Sequence, residues 1–262
     1  MITDVCSRWR DRRGVYRPTG EPLQPHHFEV AAIPDDVTAR AFVVAMHYSG
    51  SYPAARRRVG LYTKRGALVG VAVFSQPMHD AVLRPWTRDV AVELGRLVLL
   101  DTVPGNGESW FLRRAFALLA AEGFEGVVSY SDPEPRTDDE GKTVFVGHIG
   151  GCYQASNACY QGRATPRTLH LLPDGTVFSD RALQKLRAQE RGWEYAAAQL
   201  VAHGATPPTG DLRAWVTAWL PRITRARRHH GNHRYLFPLS RAAKKAAPPS
   251  LPYPKFEGRA VA

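Results

Sequence analysis

The sequence predicts an α/β fold in which a mixed central sheet is flanked by helices. Hydrophobic residues make up 44% of the 262-residue chain, which is enough to build a globular core. Short apolar runs typical of strands alternate with stretches of helical periodicity, and turn-forming residues separate them. The predicted order is strand, helix, three strands, helix, strand, helix, strand, which is typical of helices packed on one sheet.

The elements of this core follow from local patterns. A strand is predicted at residues 28–33, and Pro34-Asp35-Asp36 starts a helix that continues to Met46. Strands at residues 59–63 and 67–74 form a hairpin. The later elements are a strand at 90–100, a helix at 108–122, a strand at 124–130, a short helix at 148–157, and strands around Tyr160 and at 168–172.

Composition divides the chain into four predicted segments. They are a basic N-terminal arm (1–25), an α/β core (26–178), a helical basic extension (179–239) and a flexible tail (240–262). In the extension we expect Asp180 to cap a helix that continues to Leu200. Within the core, the acidic segment from Asp132 to Lys142 is predicted to be an exposed loop.

The charge of the chain favours a polyanionic partner. Its formal net charge is +11, and each phosphate that a lysine or arginine neutralises releases condensed counterions. Residues 1–5 lack the apolar region of a signal peptide, and no stretch approaches the roughly 20 apolar residues of a membrane span. We therefore expect a cytoplasmic protein without a membrane partner. Its three cysteines lack CxxC spacing, which argues against a disulfide framework or a zinc module.

Two motifs near the middle of the core carry groups that suit proton transfer and base recognition. His47 and Tyr48 end the first predicted helix, where an imidazole can move protons and a phenol can stack on a nucleobase. Glu93 and Arg96 lie on the predicted central strand, where charges are costly unless they pair or line a cleft. A surface histidine at a helix end and a structural ion pair remain alternative interpretations.

A glycine-rich segment separates the central strand from the next helix. Its glycines would let backbone N–H groups approach an anion, and the start of a helix favours negative charge. Glu108 in the same segment would repel an anion. The candidate cofactor-binding residues are Gly105, Asn106, Gly107 and Ser109.

Two further motifs follow the buried strand at 124–130. Asp132 lies just after the strand, where open α/β sheets place their ligands, and it is a candidate base. A carboxylate that caps the following turn is the alternative. Residues 147–157 are dense in Gly, His, Tyr, Gln and Asn, which suits a site for a flat, hydrogen-bonding substrate, and Tyr153 is the candidate there.

Taken together, the order of these motifs resembles the Mom-like phage proteins that modify DNA. The matching stretches over residues 47–162 are His-Tyr-Ser, Glu-Leu-x-Arg-Leu, Asn-x-x-Ser, Ser-Tyr-x-Asp and Gly-His-x-Gly-x-x-Tyr-Gln-Ala-Ser-Asn. The resemblance implies a GNAT-like acyltransferase fold for the core at 26–178, acting on double-stranded DNA. It further implies an acetamido-type adduct on adenine N6, which protects the DNA from restriction. The catalytic residues implied are His47, Tyr48, Arg96, Ser109, Asp132 and Tyr153.

Two cofactors are implied by the same resemblance. The fold implies an acyl-CoA, such as acetyl-CoA, as the donor. The family implies iron, for which His47, Tyr48 and Asp132 offer ligand types without a recognisable metal spacing. The sequence departs from the family pattern in the acidic insertion that follows Asp132 and at Ser131, where an alanine is common.

A basic stripe lies outside the core, close to the aromatic residues Tyr235 and Phe237. Such a stripe is typical of a surface that binds the phosphates of duplex DNA. The candidate DNA-binding residues are Arg222, Arg225, Arg227, Arg228, His230 and Arg234.

Two other functions fit the same sequence. One is a GNAT acetyltransferase that acts on a protein or small-molecule amine, with the basic segments as incidental charge. The other is a DNA-binding accessory without catalysis, which predicts that Asp132→Asn and His47→Ala leave all activity intact. The dense polar groups around Tyr153 favour an enzyme.

Overall fold

The structure, a computed structural model, describes residues 5–10, 13–18, 20–77 and 79–255. The chain forms two compact units. Unit 1 comprises residues 1–133, 147–164 and 232–262, and unit 2 comprises residues 134–146 and 165–231. Along the sequence, unit 2 therefore interrupts unit 1 twice.

Runs of strands, separated by single helices or by a run of three helices, follow one another along the described chain. The strands are β1 (Val5–Arg10), β2 (Arg13–Pro18), β3 (Phe28–Ala32), β4 (Ala55–Thr63), β5 (Leu68–Ser75), β6 (Ala91–Leu99), β7 (Gly126–Ser131), β8 (Arg136–Thr137), β9 (Thr143–Phe145), β10 (Cys159–Arg163), β11 (Arg167–Leu171), β12 (Val177–Phe178), β13 (Arg225–His229) and β14 (His233–Pro238). The helices are α1 (Asp36–Met46), α2 (Gly107–Ala121), α3 (Gly151–Ala155), α4 (Asp180–Ala188), α5 (Glu194–Ala202), α6 (Leu212–Ile223) and α7 (Arg241–Ala246).

Unit 1 is built on a seven-stranded mixed sheet. Its strand order is β10-β14-β7-β6-β5-β4-β3. Strands β6 and β7 are parallel, and the other neighbouring pairs are antiparallel. Because helices α1 and α2 pack on this sheet, the predicted α/β fold class is confirmed.

Helices α1 and α2 begin and pack as their sequences predict. The side chain of Asp35 caps α1 by accepting a hydrogen bond from the Thr38 backbone N–H at 2.9 Å. The apolar face of α1 contributes Val43 to one buried cluster with strand β5. Helix α2 contributes Phe111 and Leu112 to the largest cluster, together with Phe74 of β5. Burial of these faces is the main stabilising term for both helices.

Trp86 explains the glycine at the start of β7. A Cβ atom at Gly126 would overlap the indole ring of Trp86. The indole is buried in a cluster with Leu83, Val128 and Leu236. Gly126 lies opposite Ala91 of β6, so the absence of a side chain lets a tryptophan pack where the parallel pair begins.

Unit 2 has a sheet and a core of its own. Its three-stranded sheet has the order β12-β11-β13, and the short hairpin β8–β9 belongs to the same unit. Helices α4, α5 and α6 supply a buried cluster that includes Leu186, Leu200 and Trp215. The Trp215 indole N–H donates a hydrogen bond to the Thr206 carbonyl at 2.9 Å, which satisfies its polar atom.

The predicted extension at residues 179–239 differs from the structure in three ways. The helix from Asp180 to Leu200 is divided into α4 and α5, because Gln189 adopts a left-handed conformation that ends α4. Ser179, rather than Asp180, caps α4 by accepting from the Ala182 N–H. The basic stripe is extended as β13 and β14, since Tyr235 and Phe237 favour a strand and are buried in the sheet of unit 1.

The ends of the chain are more ordered than the sequence indicates. The predicted arm contains the hairpin β1–β2, and its Arg8 side chain is fully buried. In the predicted tail, Ser240 caps α7, and the Leu251 N–H donates to the Tyr160 carbonyl at 2.9 Å. The parts of these segments at residues 1–4, 11–12, 19 and 256–262 lie outside the described residues.

The predicted exposed loop at 132–142 contains a buried arginine. Arg136 of β8 is 4% exposed, and its guanidinium lies over the Phe145 ring at 4.2 Å from the centroid. Hairpin pairing between β8 and β9 holds this segment in place. Over the described ranges, none of the helices has the length and apolar character that a membrane span requires.

Candidate active site

Strands β6 and β7 stop pairing partway along their length in the sheet of unit 1. Their parallel pairing ends at Leu94 and Ser129, although β6 continues to Leu99 and β7 to Ser131. Groups at the carboxyl end of such a pair face the usual ligand position of an open α/β sheet. Four predicted catalytic residues, His47, Tyr48, Arg96 and Tyr153, are linked electrostatically in this region.

His47 is a buried, neutral histidine at the end of α1. Its backbone N–H donates to the Val43 carbonyl at 2.8 Å, and its Nδ1 lies 2.9 Å from the Ser49 hydroxyl oxygen. Burial lowers the pKa of the imidazole well below its ordinary value of 6.5, and the positive charges of Arg96 and His148 lower it further. The ring therefore stays neutral at pH 7, and its Nδ1 accepts a hydrogen bond from the Ser49 backbone N–H at 3.2 Å.

Arg96 is fixed beside the tyrosine that follows His47. Its Nε donates to the Ser51 carbonyl at 3.1 Å, and its Nη2 donates to the Ser51 hydroxyl at 2.7 Å. Burial lowers the pKa of the guanidinium, while Tyr48 and Glu93 raise it. The rings of His47 and Tyr48 are 4.3 Å apart. These contacts place a cation, an imidazole and a phenol in one small volume.

Glu93 supplies a buried carboxyl on the same strand. Burial raises the pKa of this carboxyl, and the charge of Arg96 opposes the shift. The charge of Glu93 also acts on Tyr130 of β7. Glu93 therefore links Arg96 of β6 electrostatically with Tyr130 of β7.

Asp132 and His148 are joined by a backbone hydrogen bond just after the end of β7. The Asp132 residue is 7% exposed, and its carbonyl accepts a hydrogen bond from the His148 N–H at 2.7 Å. His148 also lowers the pKa of the His47 imidazole, so the segment that starts at Gly147 lies close to that ring. His148 lies in a polar stretch that the sequence marks, but it is not among the predicted catalytic residues.

Tyr153 of α3 is buried with two other aromatic residues. Its ring centroid lies 5.5 Å from that of Tyr235 and 5.7 Å from that of Phe237. Burial raises the pKa of its phenol, and a hydrogen bond with Ser129 opposes the shift. Tyr48 raises the pKa of this phenol further. Tyr153 is thus a neutral phenol that can donate a hydrogen bond.

The predicted cofactor-binding residues lie in another part of unit 1. Ser109 is in the first turn of α2, and its hydroxyl donates to the Asn106 carbonyl at 3.2 Å. Both residues line a groove of about 720 Å³ along α2, together with Trp110, Arg113 and Arg114. His47, Tyr48, Arg96, Asp132 and Tyr153 do not line this groove. Ser109, predicted to be catalytic, therefore lies with Gly105, Asn106 and Gly107 rather than with the other five.

The predicted DNA-binding residues are divided between the units. Arg234 lies on β14 of unit 1, and the other five lie in unit 2. In unit 2, Arg227 donates to the Pro135 carbonyl at 2.8 Å, and His230 Nδ1 lies 3.0 Å from the Glu134 carboxylate. Arg225 lies 3.8 Å from the Asp139 carboxylate. Arg222 and Arg228 are exposed.

The prediction of iron finds no support in the side chains. Over the described ranges, no group of three or more His, Cys, Asp and Glu side chains is placed to hold a metal ion. Of the three predicted iron ligands, only His47 and Asp132 belong to these four residue types; Tyr48 does not.

A mixed sheet with one parallel pair and helices packed on it defines the class of the protein, which is an α/β protein. The family is a more specific assignment than this fold class. The chain belongs to the Mom protein family, which matches residues 27–255. The resemblance inferred from the five motifs is therefore confirmed.

Solved acetyltransferases show partial similarity to the chain. A tandem GNAT protein from the clavulanic acid biosynthesis pathway has 9% identity over 81% of this chain and 99% of its own, with a TM-score of 0.44. Spermidine/spermine N-acetyltransferase SpeG from Vibrio cholerae has 9% identity over 84% and 98%, with a TM-score of 0.38. The N-acetyltransferase YhbS from Escherichia coli, solved with CoA, has 14% identity over 45% and 68%, with a TM-score of 0.32. No curated protein matches the chain.

The start of α2 does not fit the pyrophosphate of an acyl-CoA. An anion at this position needs free backbone N–H donors. Here the carbonyls of Val103 and Pro104 and the carboxylate of Glu108 all contact the guanidinium of Arg8. A cluster of acceptors around a cation is the reverse of what a pyrophosphate requires.

Burial of His47 makes the stability of the protein depend on pH. The unfolded imidazole takes up a proton below its ordinary pKa of 6.5, whereas the folded ring stays neutral until a much lower pH. Acidification through this window therefore favours unfolding, and stability is regained as the pH rises to 6.5. Between the two pKa values, the wild type should lose up to about 1.4 kcal/mol more per pH unit than His47→Gln.

Denaturant unfolding at pH 5, 6, 7 and 8 measures this difference. His79→Gln is the matched control, because His79 is exposed and should leave the pH dependence of the wild type unchanged. Parallel curves for the wild type and His47→Gln would show that His47 titrates normally in the folded protein.

Proposed function

We propose that the chain is a DNA-modifying transferase that adds an acetamido- or acyl-type group to N6 of adenine. Membership of the Mom family and the polar side chains near the point where β6 and β7 stop pairing support this proposal. The observation that carries it is the neutral, buried His47 beside Tyr48 and Arg96. A base, a stacking ring and a fixed cation are the groups that such a reaction on a nucleobase needs.

Adenine N6 is a poor nucleophile, because its lone pair is delocalised into the ring. In the proposed reaction the N6–H bond breaks as the new N6–C bond forms, and the imidazole of His47 accepts the proton. The donor's leaving group keeps the electron pair of the bond that it gives up. Asp132 is the alternative proton acceptor, since it lies at the end of β7 next to His148.

In this proposal the aromatic and cationic groups near His47 recognise the base and the donor. A target adenine in duplex DNA must be extruded from the stack at a cost of a few kcal/mol, and aromatic stacking offsets part of this cost. Tyr48 is suited to stacking, and the neutral phenol of Tyr153 is suited to donating a hydrogen bond to a ring nitrogen. Arg96, held by Ser51, is suited to orienting the donor.

Mass spectrometry of nucleosides tests the proposal. Host DNA from cells that express the chain is digested to nucleosides and compared with DNA from cells that carry the empty vector. The proposal predicts a new, heavier derivative of deoxyadenosine. Unmodified deoxyadenosine together with newly acetylated amines in the same cells would instead show an amine acetyltransferase.

Contact with DNA should depend on exposed arginines of unit 2. Arg222 and Arg228 are exposed, so their guanidinium groups are available to phosphates. The double variant Arg222→Ala/Arg228→Ala should weaken binding to duplex DNA. It should also reduce the slope of log K against log salt by about 2, roughly one for each phosphate that an arginine no longer neutralises.

Arg181→Ala is the matched control for this experiment. Arg181 is an arginine of the same unit that already forms an ion pair with Glu190 at 2.7 Å. Its replacement should leave the salt slope as it is in the wild type. An unchanged slope for the double variant would exclude Arg222 and Arg228 from the DNA interface.

A further inference from the structure

Arg8 occupies the loop that leads into α2. The side chain is fully buried, although it comes from the N-terminal hairpin. Its Nη2 donates to the Val103 carbonyl at 3.0 Å and to the Pro104 carbonyl at 2.7 Å. Its Nη1 pairs with the carboxylate of Glu108 in the first turn of the helix. The guanidinium is thus surrounded by acceptors from one loop.

A second part of the N-terminal segment covers the same loop. The Leu23 N–H donates to the Asn106 side-chain oxygen at 2.6 Å, and Leu23 belongs to the main core cluster. Within the loop, the Gly107 N–H donates to the Pro104 carbonyl at 2.9 Å. A Cβ atom at Gly107 would collide with Val103, so the glycine serves the close packing of the loop.

The effect of Arg8 extends to α3. Burial raises the pKa of the Cys152 thiol to about 12, and the positive charge of Arg8 opposes the shift. Cys152 packs against the main core cluster, so the guanidinium lies close to two helices and is not a surface group. Arg8 therefore belongs to the interior of unit 1.

The chemistry of this position excludes a pyrophosphate. Anions bind at a helix start when several backbone N–H groups point at them and no negative charge is near. Here two carbonyl oxygens and a carboxylate face the loop, and they already hold a cation through charge-assisted hydrogen bonds. A pyrophosphate would have to displace a buried guanidinium and then face Glu108.

We propose that the start of α2 is a socket for Arg8, and that the donor of the proposed transfer is not held there through a pyrophosphate. The inference deepens the proposed function, since it concerns the donor of that reaction. The hydrogen bonds and the ion pair of Arg8 that support the inference do not depend on DNA binding. Acyl-CoA and other donors with a nucleoside diphosphate are excluded from this position, and a donor must be held elsewhere.

Titration of the full-length wild type with CoA tests the donor half of the proposal. Isothermal calorimetry measures whether CoA binds at up to millimolar concentration, and hydrogen exchange of residues 101–110 should be unchanged by CoA in either case. Saturable binding that protects residues 101–110 from exchange would overturn the proposal. Binding that leaves these residues unprotected agrees with it, because the donor is then held elsewhere.

Removal of the arginine tests the socket itself. Arg8→Ala leaves Glu108 and two carbonyls without their cation, so Tm should fall by more than roughly 5 °C. Arg65→Ala is the matched control, because Arg65 is exposed in the turn between β4 and β5, and its replacement should leave Tm unchanged. An Arg8→Ala variant with the Tm of the wild type would overturn the proposal.

The two proposals fail in different measurements. CoA bound at residues 101–110 would overturn the Arg8 socket and leave DNA modification standing. Unmodified nucleosides would overturn DNA modification, while the CoA titration and the Tm of Arg8→Ala would still report on the socket.

Discussion

His47→Gln lowers the yield of modified deoxyadenosine by roughly 10²–10⁴-fold, which is the usual contribution of a general base. The lowered pKa of His47 keeps its imidazole neutral at pH 7, and Tyr48 and Arg96 lie beside it. Glutamine keeps a polar side chain of similar length but accepts no proton in this pH range. The fold-change is measured from the ratio of modified to total deoxyadenosine in digested host DNA.

His79→Gln is the control for the removal of a histidine. His79 is exposed near the start of a short 3₁₀ helix and lies outside the proposed catalytic residues. Its substitution should leave the adduct yield unchanged. If His47→Gln folds with the secondary structure of the wild type and retains full yield, His47 is not the base, and Asp132 becomes the remaining candidate.

Phe111→Ala lowers the free energy of unfolding by about 3–5 kcal/mol, as expected when a large aromatic side chain is removed from a packed core. Phe111 is fully buried on the inner face of α2, in the cluster that also contains Phe74 and Leu112. The substitution leaves a cavity that the surrounding strands cannot close. Chemical denaturation, monitored by circular dichroism, measures the decrease.

Val37→Ala provides the comparison for this core substitution. Val37 is 77% exposed on α1, so its replacement should change the free energy of unfolding by no more than about 0.5 kcal/mol. Equal effects of the two substitutions would show that α2 does not pack on the sheet through Phe111.

Local patterns predict the elements that depend on local physics. Helix α1 begins after Asp35 because its carboxylate caps the helix, and both features are visible within a few residues of sequence. Strand β5 is a continuous apolar run bounded by turn residues, and it is an interior strand of the sheet. These elements match their predictions closely.

The pairing of strands that lie far apart in the sequence could not be predicted from local patterns. Strand β14 lies about a hundred residues after β7, yet it pairs with β7 over its whole length and separates it from β10. No pattern within residues 225–238 indicates that β14 pairs with β7. Without that partner, the sequence does not distinguish a basic helix from a pair of basic strands. The burial of Arg8 is similar, since its acceptors lie about 95 residues away.

The candidate site was predictable in part for the same reason. His47 and Tyr48 stand out because their residue types and their position at a helix end suit proton transfer and stacking. Ser109 carries no sign in the sequence that it faces a groove along α2. His148 escaped selection because a histidine among glycines is informative only once its neighbours are known.

Tandem mass spectrometry of nucleosides tests the central claim most directly. DNA from cells expressing the wild type is digested, and each heavier nucleoside is fragmented into base and sugar. The account predicts a deoxyadenosine derivative whose added mass stays with the adenine base and is absent in His47→Gln. Added mass on the sugar or on another base, or DNA that is unmodified while the protein is folded and abundant, would contradict it.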